Sequence, residues 1–162
     1  MRQSQQLITA LLRLIEVEPC AVLDEDQNKA YEGLTFVAKN TTFRSRLAKK
    51  TPKKKGYFVA LWEHPQDKNQ AYSLSGSPDK LIITVLDGKQ KGQFIFPTSV
   101  LVANGIIKTA TTAGKMAFRV YPPWVQDLNP IAAQTQQWQA PYFLDLSHPL
   151  KQTENLEKFY FQ

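Results

Sequence analysis

One strongly apolar segment, residues 81–86, restricts the architecture that this chain can adopt. It is rich in β-branched residues and holds no charge, so it predicts a strand buried on both faces. Asp87 and Gly88 follow as a strong turn signal, and residues 92–96 return as the partner strand. A hairpin covered on both sides belongs to the middle of a layered domain.

Helices and further strands are predicted around this hairpin. Apolar residues at helical spacing predict a helix over 4–17, with Ser4 as its N-cap and Pro19 as its stop. Further strands are predicted at 34–39, Thr41–Leu47, 57–63 and 115–121, with Asn40 turning the first into the second. Helices are predicted at 98–105 and 131–140, and Thr153–Phe161 is either a helix or a frayed tail. Residues 64–77 read as an exposed loop. This order predicts one α/β domain over 1–162, with a central mixed sheet flanked by helices.

The composition limits the cellular compartment in which such a domain is expected. The chain has 162 residues and one cysteine. The lone Cys20, interpreted as a small buried residue, cannot form an internal disulfide, and there is no Cys and His pattern for structural zinc. Neither a signal peptide nor an apolar run of membrane-spanning length is apparent. We therefore expect a protein of a reducing compartment, the cytoplasm, with no cofactor and no membrane partner.

Basic side chains are concentrated in one stretch of the chain. The net charge is +6, and residues 1–32 hold three basic and six acidic side chains. Residues 33–62 hold eight basic side chains and no acidic one. Such patterning creates a positive field suited to polyanions. The alternative is a merely solvated lysine-rich loop, which the lack of acidic neighbours in the sequence disfavours.

The densest part of this stretch is a run of five lysines around Pro52, which favours an extended backbone that displays them. Strand alternation puts Arg44 and Arg46 on one face, and Arg119 on the same face of its strand as Tyr121. Aromatic rings near basic side chains suit single-stranded nucleic acid. The predicted phosphate contacts are Arg44, Arg46, Lys49, Lys50, Lys53, Lys54, Lys55, Lys115 and Arg119. The predicted stacking residues are Trp62 and Tyr121. We expect this lysine run, Arg44, Arg46 and Arg119 to form one continuous positive face.

A nuclease-like pattern is also present. Asp79 follows a proline before the buried strand, and Asp87 and Lys89 lie after it, as in sites where two carboxylates hold Mg²⁺ and a lysine orients water. With ~3.3 Å per strand residue, the two carboxylates would lie more than ~20 Å apart. We expect the residue that pairs back toward Asp79 to be near Gln93, which is neutral. The pattern therefore predicts no metal site.

Four ordered motifs resemble one known family. They are the segments 48–59, 77–83, 91–97 and 114–122, and the resemblance to the MepB family of bacterial proteins covers roughly residues 24–146. The resemblance implies a fold similar to the restriction-endonuclease-like core and nucleic-acid binding without an intact nuclease site. Lys89, which completes an acid-x-lysine pattern, departs from that expectation.

Three functions remain open from the sequence. The leading hypothesis is a non-catalytic protein that binds nucleic acid, with RNA or single-stranded DNA favoured. The second is a Mg²⁺-dependent nuclease, which two carboxylates brought together in a cleft would favour. The third is a regulatory module that binds an acidic protein or a small anion.

Overall fold

The computed structural model of the chain describes residues 2–162. Its helices are α1 (Gln3–Leu14), α2 (Thr98–Ala103), α3 (Pro130–Gln139) and α4 (Thr153–Phe161). Its strands are β1 (Cys20–Asp24), β2 (Leu34–Ala38), β3 (Thr41–Leu47), β4 (Lys49–Lys50), β5 (Tyr57–Ala60), β6 (Trp62–Gln66), β7 (Lys68–Ala71), β8 (Lys80–Asp87), β9 (Gln90–Pro97), β10 (Ala117–Val120) and β11 (Phe143–Asp145). Within residues 2–162, no helix has both the length and the apolar character needed to cross a bilayer.

The central sheet has the strand order β1-β2-β3-β8-β9-β11. Strands β3 and β8 run parallel, and the other neighbours are antiparallel. Both faces of β8 are buried. Ile82 packs on one side with α1 and α4, while Leu81, Ile83 and Val85 face a second sheet and α2 on the other. The predicted mixed sheet flanked by helices is confirmed.

The second sheet carries the candidate site. It has the order β10-β5-β4, and a separate hairpin joins β6 to β7. Val59 and Val120, from β5 and β10, are fully buried against the central sheet. The opposite face of β10 is consequently left for other contacts, because side chains alternate along a strand.

Where local signals were strong, the predictions are confirmed. Strand β3 and helix α4 have the predicted bounds. The hairpin between β2 and β3 turns at Lys39 and Asn40, both with positive φ (47° and 63°), as a tight two-residue turn requires. Helix α3 begins after Asn129, whose side chain accepts a hydrogen bond from the backbone N–H of Ala132.

The first helix is shorter than predicted and is capped differently. It ends at Leu14 because Glu16 adopts a left-handed conformation and the N–H of the buried Val17 bonds back to the Leu12 carbonyl. Ser4 is not the N-cap. Its backbone N–H and its hydroxyl both donate to the Glu32 carboxylate, at 2.9 and 2.6 Å, so a distant acid satisfies the helix start.

Four further expectations are wrong. Cys20 is exposed rather than buried, because it lies on β1, an edge strand of the central sheet. The predicted strand over 57–63 breaks into β5 and β6, and the predicted loop over 64–77 contains the β6–β7 hairpin. Gln93 lies opposite Thr84, not Asp79. Its amide donates to the Thr84 hydroxyl and accepts from the Tyr160 hydroxyl, which explains a neutral residue in this interior.

Candidate nucleic-acid interface

The floor of the candidate site is one face of β10. This strand pairs antiparallel with β5, with Arg119 opposite Phe58. Phe118 and Val120 are buried, whereas Arg119 and Tyr121 are partly exposed. The predicted alternation is therefore confirmed, and Arg119 and Tyr121 both face away from the core.

The lysine arm, residues 51–56, connects β4 to β5 and folds over this floor. The Arg119 guanidinium donates to the Thr51 hydroxyl at 2.7 Å and to the Lys55 carbonyl at 3.2 Å. Both ends of the arm are thus bound to the same side chain. The arm is held next to β10 instead of extending freely into solvent.

Gly56 allows the arm to approach Tyr121 closely. Its φ is +80°, and a Cβ built on it would lie 2.6 Å from two ring carbons of Tyr121. An L side chain at this position would be strained by the backbone and would collide with the ring. Glycine therefore lets the Tyr121 ring pack directly against the base of the arm.

Helix α3 forms the opposite wall. The buried Gln139 side chain accepts from the backbone N–H of Tyr121 and donates to the Arg119 carbonyl, both at 2.9 Å. Gln136 donates to the carbonyls of Pro122 and Val125. These two glutamines satisfy backbone groups next to β10 and dock the helix beside the floor.

The arm and the start of α3 enclose a cleft of about 840 Å³, called here the lysine cleft. It is lined by Lys53, Lys54, Lys55, Arg119, Tyr121, Asp127, Leu128, Asn129, Pro130, Ile131 and Ala132. Asp127 is the one carboxylate against four cationic side chains. The Lys55 ammonium donates to the carbonyls of Gln126 and Asp127, at 2.9 Å each, so Lys55 also holds the cleft wall.

A smaller cleft of about 230 Å³ adjoins the first and shares Arg119 and Tyr121 with it. This β10 cleft is lined by Asn104, Ile106, Lys115, Ala117, Phe118, Arg119, Tyr121, Thr135 and Trp138. Lys115, predicted as a phosphate contact, thus lies near Arg119. Sequence reasoning missed Asn104, Thr135 and the wall residue Ile131. Asn104 follows α2, and Thr135 and Ile131 belong to α3, so only tertiary packing brings these positions to the clefts.

Lys49 and Lys50 lie beside the arm on the edge strand β4, and both are exposed. Lys50 forms an ion pair with Asp87 at 3.3 Å, and the Tyr57 hydroxyl donates to the same carboxylate at 2.7 Å. The hydrogen bond from Tyr57 lowers the pKa of Asp87. Burial, together with this hydrogen bond, raises the pKa of Tyr57 to about 12. Lys49 lies 5.3 Å from the centroid of the Tyr31 ring.

Arg44 and Arg46 do not lie on the predicted positive face. The side chain of Arg46 is 0% exposed and that of Arg44 is 12% exposed. Both guanidiniums donate to the Glu25 carboxylate, at 2.8 and 3.0 Å. Arg46 also donates to Asn28 and to the Tyr72 hydroxyl, and Arg44 lies 3.6 Å from the Tyr72 ring centroid. The single continuous positive face is therefore wrong, although the arm and Arg119 do meet.

Electrostatics in this network explain why two arginines tolerate burial. Burial raises the pKa of Glu25, but the guanidiniums of Arg46 and Arg44 outweigh it and lower the pKa below its ordinary value. Burial likewise raises the pKa of the Tyr72 hydroxyl. A buried charge is tolerated when it is paired and hydrogen-bonded. The carboxylate lies about twenty residues before the arginines in sequence, so no local pattern pointed to it.

Trp62 also lies elsewhere. It begins β6, is partly buried, and lines neither cleft; its backbone N–H donates to the Asn28 side chain at 3.3 Å. Its backbone thus bonds to the same Asn28 side chain that accepts from the buried Arg46, and Trp62 is withdrawn as a stacking residue.

The carboxylates of the nuclease-like pattern do not meet. Asp79 precedes β8, where it accepts from the backbone N–H and the hydroxyl of Thr42, whereas Asp87 ends the strand. The whole of β8 thus separates the two residues in the chain, and Lys89 lies exposed in the following turn. Among residues 2–162, no group of three or more His, Cys, Asp or Glu side chains is placed to hold a metal ion.

Comparison with known proteins identifies relatives for most of the chain. A family model described as MepB-like matches residues 25–145. A solved crystal structure of MepB is 45% identical, covers 90% of this chain and 97% of its own, and superposes with a TM-score of 0.78. The bacterial homing endonuclease I-Ssp6803I is 14% identical over 85% of this chain and 86% of its own, with a TM-score of 0.45. No curated protein matches the chain.

Proposed function

The chain belongs to the MepB-like family, and from this premise we propose that it binds nucleic acid along the lysine cleft and the β10 cleft without cleaving it. The observation that carries the proposal is the lysine cleft itself. Four cationic side chains line it, and one carboxylate, Asp127, opposes them. Such a surface attracts a polyanion, because released counterions supply much of the binding free energy.

The arrangement of the arm favours a phosphate backbone over a single small anion. Lys53 and Lys54 are exposed on consecutive residues, while Arg119 fixes both ends of the arm. Cations spaced along a held segment can contact successive phosphates. Tyr121, partly exposed between the two clefts, adds an aromatic ring beside these charges, as in proteins that bind single strands.

The non-catalytic part of the proposal follows from the carboxylates. A two-carboxylate Mg²⁺ site needs both groups within coordination distance of one ion. Asp79 and Asp87 occupy opposite ends of β8 and bind other side chains. We expect purified protein with Mg²⁺ or Mn²⁺ to leave DNA and RNA intact. Cleavage that disappears in Asp79→Ala would contradict this part of the proposal.

The decisive experiment changes charge on the arm and follows the salt dependence of binding. Lys53→Ala with Lys54→Ala removes two cations but leaves Lys55, which holds the wall through the Gln126 and Asp127 carbonyls. Affinity for a single-stranded oligonucleotide should fall, and the log–log salt slope should decrease by ~1.4, or ~0.7 for each lost contact. The melting temperature should hardly change.

The matched control is Lys68→Ala with Lys91→Ala. Both lysines are exposed and neither lines a cleft, so the net charge changes equally while the slope should stay constant. Polyglutamate serves as a competitor without bases or phosphates. Equal log–log salt slopes for the two double variants would show that the lysine arm does not contact the nucleic acid. Polyglutamate that competes as well as the oligonucleotide would favour an acidic-protein partner instead.

A further inference from the structure

The β10 cleft differs in chemistry from the lysine cleft beside it. It has two cationic side chains, Lys115 and the shared Arg119, and no carboxylate, and its walls include aromatic rings and two neutral polar side chains. Its volume of about 230 Å³ lies below the ~300–1,000 Å³ of pockets for drug-sized ligands. It therefore suits a single planar group next to a charged backbone, rather than the backbone itself.

The side chain of Asn104, in the lining of this cleft, has an amide oxygen that can accept a hydrogen bond. Its Nδ2 donates to the Val100 carbonyl at 2.8 Å, and since a carbonyl only accepts, the amide orientation is determined. The Oδ1 atom has no hydrogen-bond partner within residues 2–162. Thr135 donates its hydroxyl to the Ile131 carbonyl, so its oxygen can only accept from a ligand. Beside the donors Lys115 and Arg119, the lining thus contains two acceptors, on Asn104 and Thr135, for a ligand that brings N–H groups.

We propose that the β10 cleft holds one unpaired nucleobase of a strand whose phosphates lie in the lysine cleft. Tyr121 and Arg119, shared by the two clefts, mark the point where a base would leave the backbone. Every base carries an N–H donor on its Watson–Crick edge, and in a duplex that donor is already used. An acceptor such as Asn104 Oδ1 then selects unpaired bases of any identity. This inference rests on the proposed function.

The test uses single-stranded oligouridine, the same oligomer with N3-methyluridine, an abasic oligomer of equal length, and the matching duplex. Methylation removes the N–H donor of uracil without changing the phosphates. Binding to the native chain should weaken about fivefold on methylation, as for the loss of one hydrogen bond. It should weaken roughly tenfold or more for the abasic strand. The duplex should bind more weakly than the single strand.

Asn104→Ala should remove the difference between uridine and methyluridine, because the acceptor is gone. Ala117→Phe fills the cleft from a strand position that accepts an aromatic residue, so it should reduce the affinity for oligouridine to that for the abasic strand. Ala110→Phe, at an exposed position that lines neither cleft, should bind like the native chain. Together these variants separate loss of the acceptor from damage to the fold.

Each contrary result has a defined meaning. Equal binding of base-bearing and abasic strands, with a salt slope that the lysine variants reduce, would overturn the base pocket and leave the proposed function intact. Methylation that weakens binding equally in native chain and Asn104→Ala would overturn the role of Asn104, and with it the inference. Full affinity of Ala117→Phe for oligouridine would also overturn the inference. Failure of every oligonucleotide to bind would instead refute the proposed function.

Discussion

Arg119 and Thr51 meet above the floor of the lysine cleft, where the guanidinium donates to the hydroxyl at 2.7 Å. The same guanidinium donates to the Lys55 carbonyl and lies 5.7 Å from the Phe58 ring centroid. A strand of the second sheet thereby holds the two ends of the lysine arm. Side chains that are ordered before a ligand arrives lose less entropy on binding.

Replacing Thr51 by valine should loosen the arm without changing its charge. Valine keeps the branched shape but cannot accept from Arg119, so the arm must be ordered on binding at a cost of about 1 kcal/mol. We expect lower affinity for single-stranded oligonucleotides, an unchanged salt slope, and faster amide exchange in residues 53–56. Thr41→Val, in β3 and away from both clefts, is the control. A reduced salt slope would show that phosphate contacts, not ordering, were lost.

Removing the carboxylate from the lysine cleft should strengthen binding. Asp127 has a φ of +56°, a conformation that asparagine tolerates well, so Asp127→Asn changes charge and not backbone. We expect affinity for oligonucleotides to rise about threefold at low salt and the gain to vanish at high salt, because exposed charges are screened. Asp67→Asn, in the turn between β6 and β7, should have no such effect. Weaker binding by Asp127→Asn would place the phosphates elsewhere.

The buried ion pairs should support stability and leave binding unaffected. Glu25→Gln leaves Arg46 charged and buried, a change that costs about 3 kcal/mol in comparable networks. In urea unfolding at neutral pH, the free energy of unfolding should fall by about that amount. Oligonucleotide affinity of the folded variant should match the native chain. Glu18→Gln, which breaks an exposed pair with Arg13, should cost less than ~1 kcal/mol.

Glu25→Gln should also change how the free energy of unfolding depends on pH. The pKa of Glu25 is lowered on folding from its ordinary value of 4.5, since Arg46 and Arg44 outweigh the effect of burial. Its contribution is therefore fully present above pH 4.5 and is lost as the pH falls through the lower folded pKa. The stability gap between the native chain and Glu25→Gln should narrow under those acidic conditions. A gap that stays constant would contradict the assigned ion pairs.

Gly56→Ala should disturb the contact between the arm and Tyr121. Gly56 and Gly76 share a φ of +80°, but only the Cβ at position 56 would meet a neighbour, the Tyr121 ring at 2.6 Å. Gly76→Ala is thus a control for backbone strain alone, which costs ~1–2 kcal/mol. We expect Gly56→Ala to lower the free energy of unfolding further than Gly76→Ala and to weaken oligonucleotide binding. Equal unfolding curves would mean that the ring moves aside freely.

Tyr121 should contribute through its ring and not through its hydroxyl. The ring borders both clefts, and within residues 2–162 the hydroxyl forms no hydrogen bond. Tyr121→Ala should reduce oligonucleotide affinity by ~1–3 kcal/mol with little change in salt slope. Tyr121→Phe should bind like the native chain. A drop in melting temperature without loss of affinity would instead assign the ring to packing.

Local signals were sufficient where neighbours in the chain determine the structure. Strand β3 follows from β-forming residues between two turns, and α3 follows from Asn129 and Pro130 at its start. The outward direction of Arg119 and Tyr121 also follows from the period of two along a strand. For these features, the interacting groups lie within a few residues of one another, so the local sequence is sufficient to predict them.

Which residues cover each face of a strand was decided by the tertiary structure. Alternation correctly placed Arg44 and Arg46 on one face of β3. That face is covered by Glu25, about twenty residues earlier in the chain, and by Tyr72, more than about twenty-five residues later. Ser4 likewise bonds to Glu32 and not to its own helix. Helix α3 supplies Thr135 and Trp138 to the β10 cleft and docks beside it through Gln139. A strand's period decides which way a side chain points, but long-range packing decides whether it meets solvent, a carboxylate or a ligand.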